Sequence, residues 1–239
     1  LSFVIKRENE IRNFIPRTFH KITASFELSE GRYIGIYQKP DFKKTDDDKH
    51  DRIDRLWNKE EAERIFEQVK QSLSADVTET KKRSPQSPGR LYDLTTLQKE
   101  ANRLHHLPAS RTLQLAQALY EKHKAITYPR TDSKALPEDY GSTCKEMLGV
   151  ISGELSPHAQ LVLQSNWVDE KNKRIFNNKQ ISDHFAIIPT NTPPRGLDAN
   201  ELKIYNLIVK RFISAFYPPA QWDVTVRTST LGEHAFKTE

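Results

Sequence analysis

The chain has 239 residues, a formal net charge of +5 and a single cysteine, Cys144. An internal disulfide is excluded, no apolar run has membrane-spanning length and no signal-peptide pattern is present, so a reducing, cytoplasmic setting is expected. The 37 basic and 32 acidic residues permit a nucleic-acid partner without demanding one, and eleven Phe, eight Tyr and three Trp supply apolar area for real cores.

Residues 1–14 mix apolar and charged side chains (Phe3, Val4, Ile5, Ile11, Phe14) and read as the end of a helix. With Leu1 at the start and a strand-like pattern close to Glu239, the sequence is expected to be a piece of a longer protein. Ile22, Ala24 and Phe26 alternate with polar residues, Gly31 supplies a turn and Tyr33–Tyr37 returns, which predicts a hairpin over residues 20–38. Lys39 to Arg55, including Asp46-Asp47-Asp48, reads as a solvated charged loop, because consecutive carboxylates do not converge on one cation. Asn58 with Glu61 predicts a capped helix that buries Ala62, Ile65, Phe66, Val69 and Leu73. Thr80 to Arg90 is rich in Lys, Arg, Ser and Pro and reads as a linker at a domain boundary.

Beyond it, Thr95 with Gln98 predicts a helix carrying Leu97, Ala101 and Leu104, and Ser110 opens a second one carrying Leu113, Ala116, Leu119 and Tyr120. Ala125–Tyr128 reads as a strand ending at Pro129. Helix, turn, helix, strand is the layout of a winged-helix core, shared by many unrelated proteins. His105 and His106 fall in the inter-helix connection and read as surface residues. Asp198 with Glu201 starts another helix, with Leu202, Tyr205, Val209, Phe212 and Phe216 on its buried face, and Tyr217-Pro218-Pro219 stops it. Asp223 to Ser229 reads as a strand able to join the sheet of the early hairpin. The fold class expected is α+β: a β-rich domain with an inserted, mainly helical, winged-helix-like domain.

Two segments carry chemistry. The first is Tyr128-Pro129-Arg130-Thr131-Asp132-Ser133. A free phenol titrates near about 10 and is a poor nucleophile at neutral pH unless a proton acceptor or a cationic field assists it. On an extended segment Tyr128 and Arg130 share a face, so both can address one phosphate, the guanidinium steadying charge on its oxygens. Asp132 can orient a cation or a histidine, and Thr131 and Ser133 can donate to phosphate or sugar oxygens. On spacing alone, a buried strand tyrosine followed by a polar turn is an equal reading. The second segment is Ile181-Ser182-Asp183-His184-Phe185-Ala186-Ile187-Ile188-Pro189-Thr190, whose lone histidine has a structural reading as well.

Together these segments resemble the type IA DNA topoisomerases, and the match is close to the topoisomerase III branch. The family's Tyr-x-Arg-[Thr/Ser]-Asp segment stands at Tyr128–Asp132, followed by Leu136-Pro137-Glu138, and its His-x-Ala-Ile-x-Pro-Thr segment at His184–Thr190. Thr96–Ala101, Ala116–Glu121 and Arg7–Phe14 extend the likeness from end to end.

The resemblance implies that Tyr128 attacks single-stranded DNA and retains its 5′ phosphate as a phosphotyrosine. Arg130 would stabilise the transition state, His184 would contact the scissile phosphate or hold its neighbours, and Asp132 would support them. Thr131, Ser133, Arg111 and Thr190 would contact DNA. Residues 1–14 would close a helical gate domain, 15–87 and 219–239 would form an arch, and 88–218 the tyrosine-bearing domain. The family's Mg²⁺ site lies in a Toprim domain that nothing here resembles, so the chain is expected to bind no metal and no nucleotide and to be inactive alone. A monomer is expected, with a helicase as a candidate partner and, in a bacterium, association with the nucleoid. The alternative from another class is a non-catalytic winged-helix DNA-binding module, in which Tyr128 would be dispensable. Tyrosine recombinases place a His-x-x-Arg segment before the tyrosine, and relaxases use a spaced histidine pair; neither pattern occurs here.

Overall fold

The computed structural model describes residues 1–45 and 48–239. Asp46 and Asp47, two of the three adjacent aspartates, lie outside the described residues. The chain divides into two compact units: residues 1–84 with 222–239, and residues 85–221.

The first unit opens with α1 (Ser2–Arg12), which has no side-chain cap and buries none of its residues. Exposed pairs Arg7–Glu10 and Arg12–Glu8 line it at helical spacing. Strands β1 (Thr23–Leu28) and β2 (Gly31–Gln38) form the expected hairpin, in register from Thr23 opposite Ile36 to Leu28 opposite Gly31. Gly31 takes φ of +148°, a region open to glycine and strained for other residues. The helix α2 (Lys59–Lys70) starts where Asn58 accepts the Glu61 N–H. Its apolar face is narrower than the periodicity predicts: Ala62, Ile65 and Val69 are buried, but Phe66 is half exposed and Leu73, past the helix end, is fully exposed.

The strands β3 (Asp76–Gln86), β4 (Ala220–Leu231) and β5 (His234–Thr238) complete a five-stranded sheet of order β1-β2-β5-β4-β3. Asp223–Ser229 thus joins the hairpin's sheet as expected, through antiparallel pairing of β5 with both β2 and β4. Residues 80–86, expected as linker, instead belong to β3. This edge strand is exposed along nearly its whole length, so it carries no apolar alternation. Sheet pairing holds it, together with the ion pairs Arg227–Glu79 and Arg83–Asp223. Ile22, Tyr37, Leu56, Ile65, Leu231 and Phe236 form this unit's core between sheet and α2.

The second unit is built around α7 (Ala199–Ala215). The Asp198 carboxylate accepts the Glu201 N–H while the Glu201 carboxylate accepts the Asp198 N–H, a reciprocal box at the predicted start. Its buried face runs through Ile204, Ile208, Val209, Phe212 and Ile213; Leu202, expected inside, is half exposed. One apolar cluster packs α7 against α3 (Leu94–His105) and α4 (Ala109–Glu121), with Leu97, Ala101, Ala116 and Leu119 inside. Another packs it against α5 (Gly141–Val150) and α6 (Ser156–Gln164), with Cys144, Leu148, Val162 and Phe176 inside. Each fully buried Phe contributes roughly 1.5–3 kcal/mol of burial free energy.

Three local expectations change. The cap of α3 is Asp93, whose carboxylate accepts the Thr96 N–H, rather than Thr95. The cap of α4 is Pro108 rather than Ser110. Residues 125–128 do not form a strand: Ile126 makes one isolated bridge to Pro189, and no hairpin wing forms between α4 and α5. The unit is mainly helical, as expected, and carries a bridged loop layer in place of the strand expected at 125–128. The helices α3 and α4 are joined through His106, which ends α3 in the left-handed conformation at φ 56° and is exposed, as expected of this connection.

Candidate active site

The loop layer is where the two chemical segments meet. The Thr127 N–H donates to the Ile188 carbonyl at 3.0 Å. The Thr127 hydroxyl donates to the Ala186 carbonyl at 2.9 Å and accepts the Ile188 N–H at 3.0 Å. Further along, the Ala186 N–H donates to the Ala135 carbonyl at 3.0 Å. The segments are thus stitched together on both sides of Tyr128, which fixes its backbone without a regular sheet.

The Tyr128 side chain is partly exposed, and its ring lies 4.3 Å from the His184 ring, tilted by 47°. The Tyr120 ring, from the last turn of α4, meets it edge-on at 5.4 Å. Sequence periodicity assigns Tyr120 to the helix core; its contact with Tyr128 needs the fold to be seen. Pro129 is buried, and Arg130 beyond it is exposed, without a hydrogen bond or ion pair among the described residues. This alternation leaves a phenol and an unneutralised guanidinium on an accessible segment. Asp132 is exposed and its carboxylate accepts the Ser182 hydroxyl at 3.1 Å, a second side-chain link between the segments.

The remaining predicted residues are placed differently from one another. Thr131 is buried; its hydroxyl donates to the His184 carbonyl at 2.8 Å and accepts the Ser133 N–H at 3.0 Å. Ser133 is buried too, its hydroxyl donating to the Gln180 carbonyl at 2.8 Å and accepting the Ala135 N–H at 3.2 Å. Thr190 donates to the Lys124 carbonyl at 2.7 Å and accepts the Thr192 N–H at 3.3 Å. These three hydroxyls, expected at DNA oxygens, are engaged with main chain, and here they brace the loops. Arg111 stands exposed in the first turn of α4, bonded to Gln114 at 3.4 Å.

Beneath the segments, Arg90–Leu94 acts as a strut. The Ile187 N–H donates to the Tyr92 carbonyl at 2.8 Å, and the Leu94 N–H donates to the Thr131 carbonyl at 3.0 Å. Lys134 Nζ lies 3.5 Å from Asp93 Oδ2. Burial first, and then the Glu100 carboxylate, push the Tyr92 phenol well above its ordinary range, so it stays protonated. Among the described residues no group of three His, Cys, Asp or Glu is placed to hold a metal ion.

The family model described as DNA topoisomerase matches residues 1–239. The chain belongs to that family. It is 35% identical to the DNA topoisomerase 3 of Shouchella clausii over 98% of this chain and 31% of that protein. It is also 35% identical to the DNA topoisomerase 3 of Bacillus subtilis, over 99% of this chain and 31% of the relative. The full-length topoisomerase I of Thermotoga maritima matches with a TM-score of 0.60 at 25% identity, covering 99% of this chain and 36% of that one. The topoisomerase chain described here therefore spans about a third of the length of the relatives it matches. No helix among its described residues is long and apolar enough to cross a membrane.

Proposed function

We propose that this chain is the tyrosine-bearing part of a longer, type IA, topoisomerase III-like enzyme that acts on single-stranded DNA in the cytoplasm. The observation that carries the reading is the Tyr128–His184 pair. A partly exposed phenol is held at 4.3 Å from an exposed imidazole on a braced loop layer, with the uncompensated Arg130 cation two residues away. Tyr128 contrasts with the buried Tyr92, whose hydroxyl accepts from Arg211: the Tyr128 ring is partly exposed and its hydroxyl is bonded to no protein group among the described residues.

On this reading the Tyr128 oxygen attacks a backbone phosphorus. A new ester joins Tyr128 to the 5′ phosphate as the phosphorus–O3′ bond breaks. The phenol gives up its proton and the departing 3′ oxygen gains one. Arg130 steadies the added negative charge on the phosphate oxygens, and His184 fixes the ring from which attack occurs and reaches toward the phosphate. Attack by the 3′ hydroxyl reverses each change. Because one ester replaces another, no nucleotide is consumed, and the sequence carries no Gly-x-x-x-x-Gly-Lys-[Ser/Thr] loop. The Mg²⁺ implied by the resemblance finds no fitting donor set among the described residues, and no step here runs through it.

The test is relaxation of negatively supercoiled DNA by the full-length enzyme and its Tyr128→Phe variant. The reading expects relaxation to vanish in a variant that still folds. Retention of relaxation would favour the DNA-binding module instead. The chain alone is expected to relax little or no DNA, and Mg²⁺-dependent relaxation by it would contradict that.

A further inference from the structure

The strut beneath the two segments packs Leu91 and Tyr92 in the apolar clusters of α7, and it also receives polar contacts from the α7 side chain Arg211. The Arg211 guanidinium donates to the Arg90 carbonyl at 3.2 Å and to the Tyr92 hydroxyl at 3.5 Å, and it pairs with Glu100 of α3. Its central carbon also lies 4.5 Å from the centre of the Tyr92 ring. Both charged groups are largely enclosed, with side-chain exposures of 20% and 22%. A guanidinium offers five donors spread in a fixed plane, so it reaches a carbonyl, a hydroxyl and a carboxylate from one rigid fork, a geometry that the compact ammonium of lysine does not reproduce.

What Arg211 holds is the point at which both segments are tied to the helices. The Tyr92 carbonyl takes the N–H of Ile187, in the His184 segment, and the Leu94 N–H is given to Thr131, in the Tyr128 segment. Gly89 belongs to the same arrangement, because a methyl group there would overlap Arg211 Nη1. Loss of the fork would take one of two cations from the partly buried Glu100 carboxylate, which keeps Arg103 at 3.5 Å, remove a donor from the Arg90 carbonyl, and let the strut shift under both segments.

We propose that Arg211, acting through Arg90–Leu94, is a positioning residue for the Tyr128 nucleophile. The proposal rests on the reading of Tyr128 as the nucleophile. Among the described residues Arg211 has no hydrogen bond, ion pair or ring contact to Tyr128, Arg130 or His184; its partners are in the strut and the helices. Its contribution is the relative placement of the phenol and the imidazole, where a displacement of the order of 1 Å costs roughly 100-fold in rate.

The experiment compares full-length Arg211→Gln, Arg211→Lys, Gly89→Ala and Tyr128→Phe with the unaltered enzyme. Three quantities are read: folded fraction, affinity for a single-stranded oligonucleotide, and the rate of covalent adduct formation at saturating DNA. Arg211→Gln and Gly89→Ala are expected to slow adduct formation by about 10–100-fold per folded molecule with affinity unchanged, and Arg211→Lys to recover only part of the rate. Gly89→Ala displaces the guanidinium without deleting it, so it decides the matter where Arg211→Gln folds poorly. A rate per folded molecule equal to the unaltered enzyme's in both Arg211→Gln and Gly89→Ala overturns the proposal, as does a loss confined to affinity. An adduct that persists in Tyr128→Phe overturns the nucleophile reading itself, a separate failure.

Discussion

The Tyr128 ring and the His184 ring are in contact, 4.3 Å between centroids, and the hydrogen bond that fixes their approach does not involve either side chain. It is the Thr131 hydroxyl that donates to the main-chain carbonyl of His184 at 2.8 Å. A threonine of one segment therefore sets the backbone position of the other segment's histidine.

Thr131→Val keeps the shape and removes this bond, leaving the Ser133 N–H without its acceptor as well. Each buried group left unsatisfied costs about 1–3 kcal/mol. Thr131→Val and Ser133→Ala should each lower the melting temperature of the protein measurably. An unchanged melting temperature with weakened DNA affinity would instead give these hydroxyls a direct role at the nucleic acid.

His184 packs on Tyr128, and on the proposed reading it also reaches the phosphate. His184→Phe retains a ring for packing and removes the nitrogen atoms. It should slow adduct formation by about 100-fold while leaving stability within about 0.5 kcal/mol, since the side chain is exposed. A rate near that of the unaltered enzyme would confine His184 to packing.

Much of this arrangement is written locally, and the rest is not. The box of Asp198 and Glu201 marks α7 because both partners are three residues apart and face one another wherever that helix begins. The same logic misplaces the start of α3. Thr95 with Gln98 matches a capping pattern, yet Asp93 is in reach of the Thr96 N–H and hydroxyl and takes both. Residues 80–86 look like a linker because an edge strand exposed on both faces needs no apolar period. The Tyr128 and His184 segments are each visible as motifs, but their stitching by Thr127, and the Arg211 fork below, join residues far apart in sequence that no spacing rule connects. Thr131 and Ser133 follow from the same cause: short polar side chains beside a tyrosine look available to a ligand until their main-chain acceptors are known.

Cys144 gives the stability a defined alkaline limit. Burial is the main cause that pushes its thiol up to about 12, against an ordinary value of 9.0. The folded chain then keeps a proton that the unfolded chain releases, so this contribution is fully present below about 9 and is lost as pH rises toward about 12, at roughly 1.4 kcal/mol per unit. Cys144→Ala should flatten the fall in unfolding free energy between pH 9 and 10.5, relative to the unaltered protein, at about the slope stated. Parallel curves for the two proteins would show that the thiol titrates alike in both states.

The most direct measurement takes the full-length enzyme, a 5′-to-3′ defined single-stranded oligonucleotide and rapid denaturation, followed by proteolysis and mass spectrometry of the DNA-linked peptide. The expected product is a phosphodiester between the Tyr128 oxygen and the 5′ end of the downstream fragment, with a free 3′ hydroxyl on the other. An adduct on a different residue, or on a 3′ end, would contradict it.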